Sequence, residues 1–234
     1  MRLAARLVLV SALLLAPVVF VAAQATALQT DGPAKSMAEV SFQFEREGLP
    51  VPRFTLQLRE DGSGRYQAEH AERPISGTSM RGEEAKHIDR TIQLSPAMVA
   101  KIFRATRDLN RFDIDCTSKL KNIADTGKKT LSYSGGDGRG SCVYHYSDNK
   151  KVEMLTETLI GIAYTMDEGS RLEFLHRYDR LGLDAEMIQL NQEVEAGRAL
   201  ELGNISPTLA AIADDSAVIQ RVRLRAAKLL DETK

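Results

Sequence analysis

Ser95–Cys116 (SPAMVAKIFRATRDLNRFDIDC) and Lys128–Tyr146 (KKTLSYSGGDGRGSCVYHY) decide the fold of this chain. The first stretch opens with a serine suited to cap a helix and a proline suited to its first position. Val99, Ile102, Phe103, Thr106 and Leu109 follow at helical spacing, which predicts a helix with one face packed on a sheet. Phe112 and Ile114 then lead to Cys116. In the second stretch, Lys128–Tyr133 and Ser141–Tyr146 flank Gly135-Gly136-Asp137-Gly138, a hairpin signal. Cys142 starts the return strand on the face of Tyr144 and Tyr146. The chain has 2 cysteines. In an oxidising compartment such a pair bonds, so a Cys116–Cys142 disulfide is predicted. Closing a loop of this length stabilises a fold by about 3 kcal/mol.

Working outward, the preceding region alternates with period two. Val40, Phe42 and Phe44 alternate with polar residues, as do Phe54, Leu56 and Leu58. Gly48, Pro50 and Pro52 separate these runs, and Asp61-Gly62-Ser63-Gly64 turns the chain before Tyr66, Ala68 and His70. Ile88, Ile92 and Leu94 mark a fourth strand, with Arg90 as a charged exception on its inner face. Such alternation places one face on a core and the other in water. Ala71–Lys86 reads as a long polar loop of the length often used for function.

After about Val152 the period becomes helical. Val152, Leu155, Leu159, Ile162, Ala163 and Met166 form one stripe. Asp167-Glu168-Gly169-Ser170 reads as the end of one helix and the cap of the next. Leu172, Leu175, Tyr178 and Leu181 continue to a break at Gly182-Leu183-Asp184. A helix is predicted from Ala185 to about Leu202, then two more around Leu209–Ala213 and Val218–Leu230. The fold class is therefore α+β: an antiparallel sheet with one packed helix, followed by a C-terminal helical region. The expected divisions are a signal peptide at 1–25, a linker at 26–36, an α+β domain at 37–149 and a helical domain at 150–234.

Arg2 and Arg6, an apolar run at Leu7–Leu15, Pro17 and small residues to Ala25 form the pattern of a secretory signal peptide. Ala23, Ala25 and Ala27 all suit cleavage. Export to a periplasmic or extracellular space follows as an expectation, with no stable membrane insertion after cleavage. Formal net charge is −1 across 234 residues, and the mixed charges lack the basic stripe of a nucleic-acid binder.

Leu209-Ala210-Ala211-Ile212-Ala213-Asp214-Asp215, followed by Val222-Arg223, Ala226-Ala227 and Leu230, resembles one repeat of the HEAT family. That resemblance covers the last tenth of the chain and implies paired helices stacked for protein contact, whereas a small capping bundle fits the same pattern. Asp61-Gly62-Ser63-Gly64-Arg65-Tyr66 resembles the turn of small exported bacterial domains with a strand, turn, strand and helix order. The peptidase inhibitor emfourin is similar in outline. Neither resemblance assigns a functional residue.

The candidate chemistry is sparse. His70 and Glu72 flank the long loop opposite His87 and Asp89, so these four form a candidate polar cluster for acid–base or metal work. His145 is expected on a strand face and His176 on a helix. None of the histidines has the HExxH spacing. Ser132, Ser134 and Ser141 lie outside a G-x-S-x-G elbow, and GGDGRG at 135–140 suits a hairpin turn better than a phosphate loop. No catalytic residue, metal or cofactor is assigned. The expected role is an exported, non-catalytic binding or scaffold protein whose partner is another exported protein. Two other readings stay open: an inhibitor of an exported peptidase acting through the Ala71–Lys86 loop, and an enzyme with a dispersed active site.

Overall fold

Alternating side chains become a six-stranded antiparallel sheet in the computed structural model, which describes residues 37–71, 86–120 and 125–233. The signal segment, the linker, Glu72 and nearly all of the long loop lie outside the described residues. The strands are β1 (Glu39–Glu45), β2 (Arg53–Arg59), β3 (Ser63–His70), β4 (Lys86–Gln93), β5 (Lys128–Gly135) and β6 (Gly138–Tyr144), ordered β4-β3-β2-β1-β5-β6. β1–β4 form a meander, and the β5–β6 hairpin adds to the other side of β1. Val40, Phe42, Leu56, Leu58, Tyr66 and Leu131 are buried on the inner face.

Helix α1 (Pro96–Asp108) lies against this face, with Ile102, Phe103 and Thr106 buried. The Ser95 hydroxyl accepts a bond from the Met98 N–H at 3.3 Å, and Pro96 occupies the first turn, which is the capping chemistry the sequence predicts. After α1, Asn110, Arg111 and Phe112 have φ of 50°, 59° and 67°. Three successive non-glycine residues in the left-handed region are sterically costly. The turn they make buries Phe112 completely and brings Arg111 to 3.2 Å from Asp137 in the hairpin. It is possible because Gly140 has no Cβ: one added there would sit 2.4 Å from the Arg111 carbonyl oxygen. The chain then reaches Cys116, which is bonded to Cys142 with Cα atoms 5.8 Å apart.

Two helices, rather than one, cover the sheet. α2 (Lys150–Tyr178) runs without interruption for 29 residues, through the Asp167–Ser170 stretch that reads as a break. Gly169 serves close packing here, not termination. A Cβ at that position would lie 2.3 Å from Ile205 Cγ2, so only glycine admits the turn at 202–205. The Ser170 hydroxyl bonds back to the Met166 carbonyl at 3.2 Å, satisfying itself inside the helix instead of capping a new one. Val152, Leu155, Leu159, Ile162, Ala163 and Met166 belong to the sheet core. Leu172 begins a second core shared with α3 (Leu183–Glu195), α4 (Ser206–Asp214) and α5 (Gln220–Asp231). The core therefore changes partway along α2, and α3 stops at Glu195 rather than near Leu202. Ser95 ties the two parts together, since its N–H and hydroxyl both donate to Glu201, each at 2.7 Å. Arg90, the charged exception on β4, reaches Glu173 of α2, which also accepts from Thr208 of α4 at 3.0 Å.

Candidate functional site

The β1–β2 connection folds back because the Arg46 N–H donates to the Pro52 carbonyl at 2.7 Å and Gly48 takes φ +79°. The Ala71 N–H donates to the Pro50 carbonyl at 2.9 Å. These bonds hold Leu49, Pro50 and Val51 over the end of the sheet as one wall of a slot. The opposite wall comes from α2, where Ile160, Ala163, Tyr164 and Asp167 have the i, i+3, i+4, i+7 spacing of one helix face. Phe44, Phe54 and Tyr66 form the floor. Phe44 and Phe54 stack at 5.2 Å, and Phe54 lies 6.1 Å from Tyr66. The slot encloses about 360 Å³ and its lining is almost wholly apolar.

One end is polar. His70 Nε2 stands 2.6 Å from Asp167 Oδ1, with both side chains 27% exposed. Neither atom makes a hydrogen bond of ordinary geometry, so the contact is a close approach rather than a directed bond. Burial, then the Asp167 charge, pushes the Tyr66 phenol far above its ordinary range. Tyr164 is pushed up in the same direction, chiefly by burial and then by Glu168. Both phenols therefore remain neutral donors across the ordinary pH range.

On the next position of α2, Glu168 turns the other way, towards α3. It is 4% exposed and its Oε1 is left without an ordinary partner, while Glu186 accepts from Arg171 Nε at 2.5 Å. Glu168 is pushed up to about 9, first by burial and then by its contact with Glu186. The neutral, protonated form of Glu168 is therefore favoured, and that form has a proton to donate.

Strand parity separates the four residues of the predicted polar cluster. His70 shares the inner face with Tyr66 and Ala68 and meets Asp167. His87 and Asp89 have odd parity on β4, lie on the outer face and are exposed. Asp89 there accepts from Arg65 Nε at 2.6 Å and from Gln67 at 3.1 Å. Glu72 lies outside the described residues. Of the other histidines, His176 lies 2.9 Å from Asp215 and His145 lies 3.5 Å from Asp125. Among the described residues, no group of three or more His, Cys, Asp or Glu side chains is arranged to hold a metal ion. Asp167 is the residue sequence reasoning missed, because it sits inside the stretch that reads as a turn. Its placement seven residues after Ile160 was the available signal. No helix among the described residues is long and apolar enough to cross a membrane. No protein-family model and no curated protein matches the chain.

Proposed function

We propose that this chain is an exported, non-catalytic binding protein whose slot takes up an apolar side chain presented by another exported protein. The observation that carries the reading is the slot itself, a cleft of about 360 Å³ walled by hydrocarbon and rings. Apolar clefts with a few convergent polar groups are the usual form of a binding site. The volume lies at the low end of the roughly 300 to 1,000 Å³ of ligand sites and has room for one or two large side chains. Burying an aromatic ring there removes about 150–250 Å² from water. His70 and Asp167 are already paired with each other at the slot's end, which suits orientation of an incoming donor more than activation of a nucleophile. The Cys116–Cys142 bond supports an oxidising compartment.

The test uses 1-anilinonaphthalene-8-sulfonate, whose fluorescence reports apolar clefts, followed by displacement with capped phenylalanine and leucine peptides. Val51 is half-buried at the rim, so Val51→Trp fills the slot from outside without entering the core. The wild-type chain is expected to bind the dye and release it to the peptides, and Val51→Trp to bind at least tenfold more weakly. Equal dye and peptide binding by the two proteins would refute the reading.

A further inference from the structure

The two edges of the sheet are treated differently. Beyond β6, the segment after α1 closes the edge: the Thr117 hydroxyl donates to the Val143 carbonyl at 3.2 Å, the Ser118 N–H donates to the Tyr146 carbonyl at 2.9 Å, and the disulfide fastens the same segment. β4 has a regular register against β3 from Ser63↔Gln93 to His70↔Lys86, and it contains no proline. The direction of its main-chain groups follows from two bonds. The Leu94 N–H donates inward to the Gly62 carbonyl at 2.8 Å, whereas the Gln93 N–H points the other way, to Asn204 Oδ1 at 2.7 Å. In an antiparallel ladder the direction alternates residue by residue. Even-numbered residues of β4 therefore bond to β3, and His87, Asp89 and Thr91 direct both N–H and C=O away from the sheet. Asn204 closes this edge only at Gln93. Among the described residues, nothing pairs with the outward main-chain groups at 87, 89 and 91. An open groove of about 590 Å³ runs along them, with Met166 and Asn204 on its far side.

We infer that the open β4 edge, residues 87–91, is a docking site for an extended segment of another polypeptide, which adds to the sheet as a seventh strand. The occupant follows from the chemistry of the site. Three N–H donors and three C=O acceptors, alternating at strand spacing beside a groove, match an extended peptide main chain. The incoming segment is about five residues long. Its side chains alternate between the groove side, beside Ile88 and Met166, and the outer face, beside His87, Asp89 and Thr91. The first set also meets Arg90 and Asn204, so both sets face a largely polar lining and the main chain supplies most of the recognition. A second copy of this chain fits poorly. The register that uses the whole open edge, 87 opposite 91, sets Asp89 against its own copy, and like charges directly opposite destabilise a strand pair. The site shares no lining residue with the slot and does not depend on it.

The experiment pans a displayed library of random decapeptides on the full, disulfide-bonded chain and carries one selected clone forward as a synthetic peptide. Asp89→Pro deletes an outward N–H while leaving the β3 ladder bonded, because proline is tolerated on edge strands. Thr91→Pro repeats the test at a second position, and Asp89→Ala controls for the side chain. Losing one such bond weakens peptide binding roughly tenfold or less. The expected result is a loss of that size in both proline variants, binding within about twofold in Asp89→Ala, and slower amide exchange at His87, Asp89 and Thr91 in the wild-type complex. That exchange measurement stands even if the proline variants fold poorly. Equal binding by folded proline variants, protection confined to other amides, or no clone that protects the edge overturns the inference. Concentration-dependent dimerisation abolished by Asp89→Pro overturns it too, by assigning the edge to a second copy.

Discussion

The sheet and the C-terminal helices bury their apolar surface in different ways. The sheet core is built on aromatic rings and large aliphatic side chains, with Phe42, Tyr66, Phe103 and Phe112 almost fully enclosed. A register of paired strands sets their positions, and a disulfide fastens the β6 edge. The helical core is aliphatic, from Leu172 through Leu190 and Leu209 to Leu229. Its borders carry charge: Asp184 accepts from Arg221 at 2.9 Å and from Arg225 at 2.5 Å, and Glu168 and Glu186 meet inside the α2–α3 contact. One half is specified by shape and covalent closure, the other by spacing and by polar groups that tolerate only one arrangement.

The largest expected effect comes from the rings. Phe42→Ala should lower stability by about 3–5 kcal/mol, and Leu209→Ala by about 2–5 kcal/mol. Hydrogen exchange resolved by segment tests the contrast: the first variant should loosen the strands, the second α3–α5. Equal loosening of both regions by either change would erase the distinction between the two cores. Next in size is the disulfide. Replacing Cys116 and Cys142 by serine should cost about 3 kcal/mol, read as a shift in the denaturant midpoint, with faster exchange around 111–118 and β6. Alkylation of the denatured, unreduced wild type should label neither cysteine, and labelling of both would remove the bond from the account.

The smallest effect belongs to the acid pair and depends on pH. The fold favours the protonated form of Glu168, so its contribution is complete below the unfolded value of 4.5 and is lost as pH rises towards about 9. Glu168→Gln keeps the neutral form throughout. The variant should exceed the wild type at pH 8 by on the order of 1–2 kcal/mol and lose that advantage by pH 4. Parallel stability curves for the two proteins would show that the fold does not hold Glu168 neutral.

Much of the sheet half was legible because its rules are local. Alternation marked the strands, the Ser95-Pro96 pair marked the start of α1, and the presence of just two cysteines suggested their pairing. The helical half hid more. Gly169 and Ser170 carry strong stop signals, and the contact that overrides them comes from Ile205, far along the chain. The polar cluster failed for a related reason. The sequence showed that β3 and β4 are neighbours, but parity puts His70 on one face and His87 and Asp89 on the other. His70 instead meets Asp167, whose approach depends on how α2 crosses the sheet. No local pattern encodes that crossing.

β1 is the earliest strand in the described chain, yet it lies inside the sheet, paired with β2 on one side and β5 on the other. On the ribosome the first of these neighbours follows almost at once. The second waits for Lys128–Gly135, and at ordinary rates of synthesis that delay is on the order of 10 s. For that interval Phe42 and Phe44 belong to a half-built sheet with a bare flank. Until Gly135 follows, that flank is an unpaired strand edge of the kind that makes an incompletely folded chain prone to aggregate.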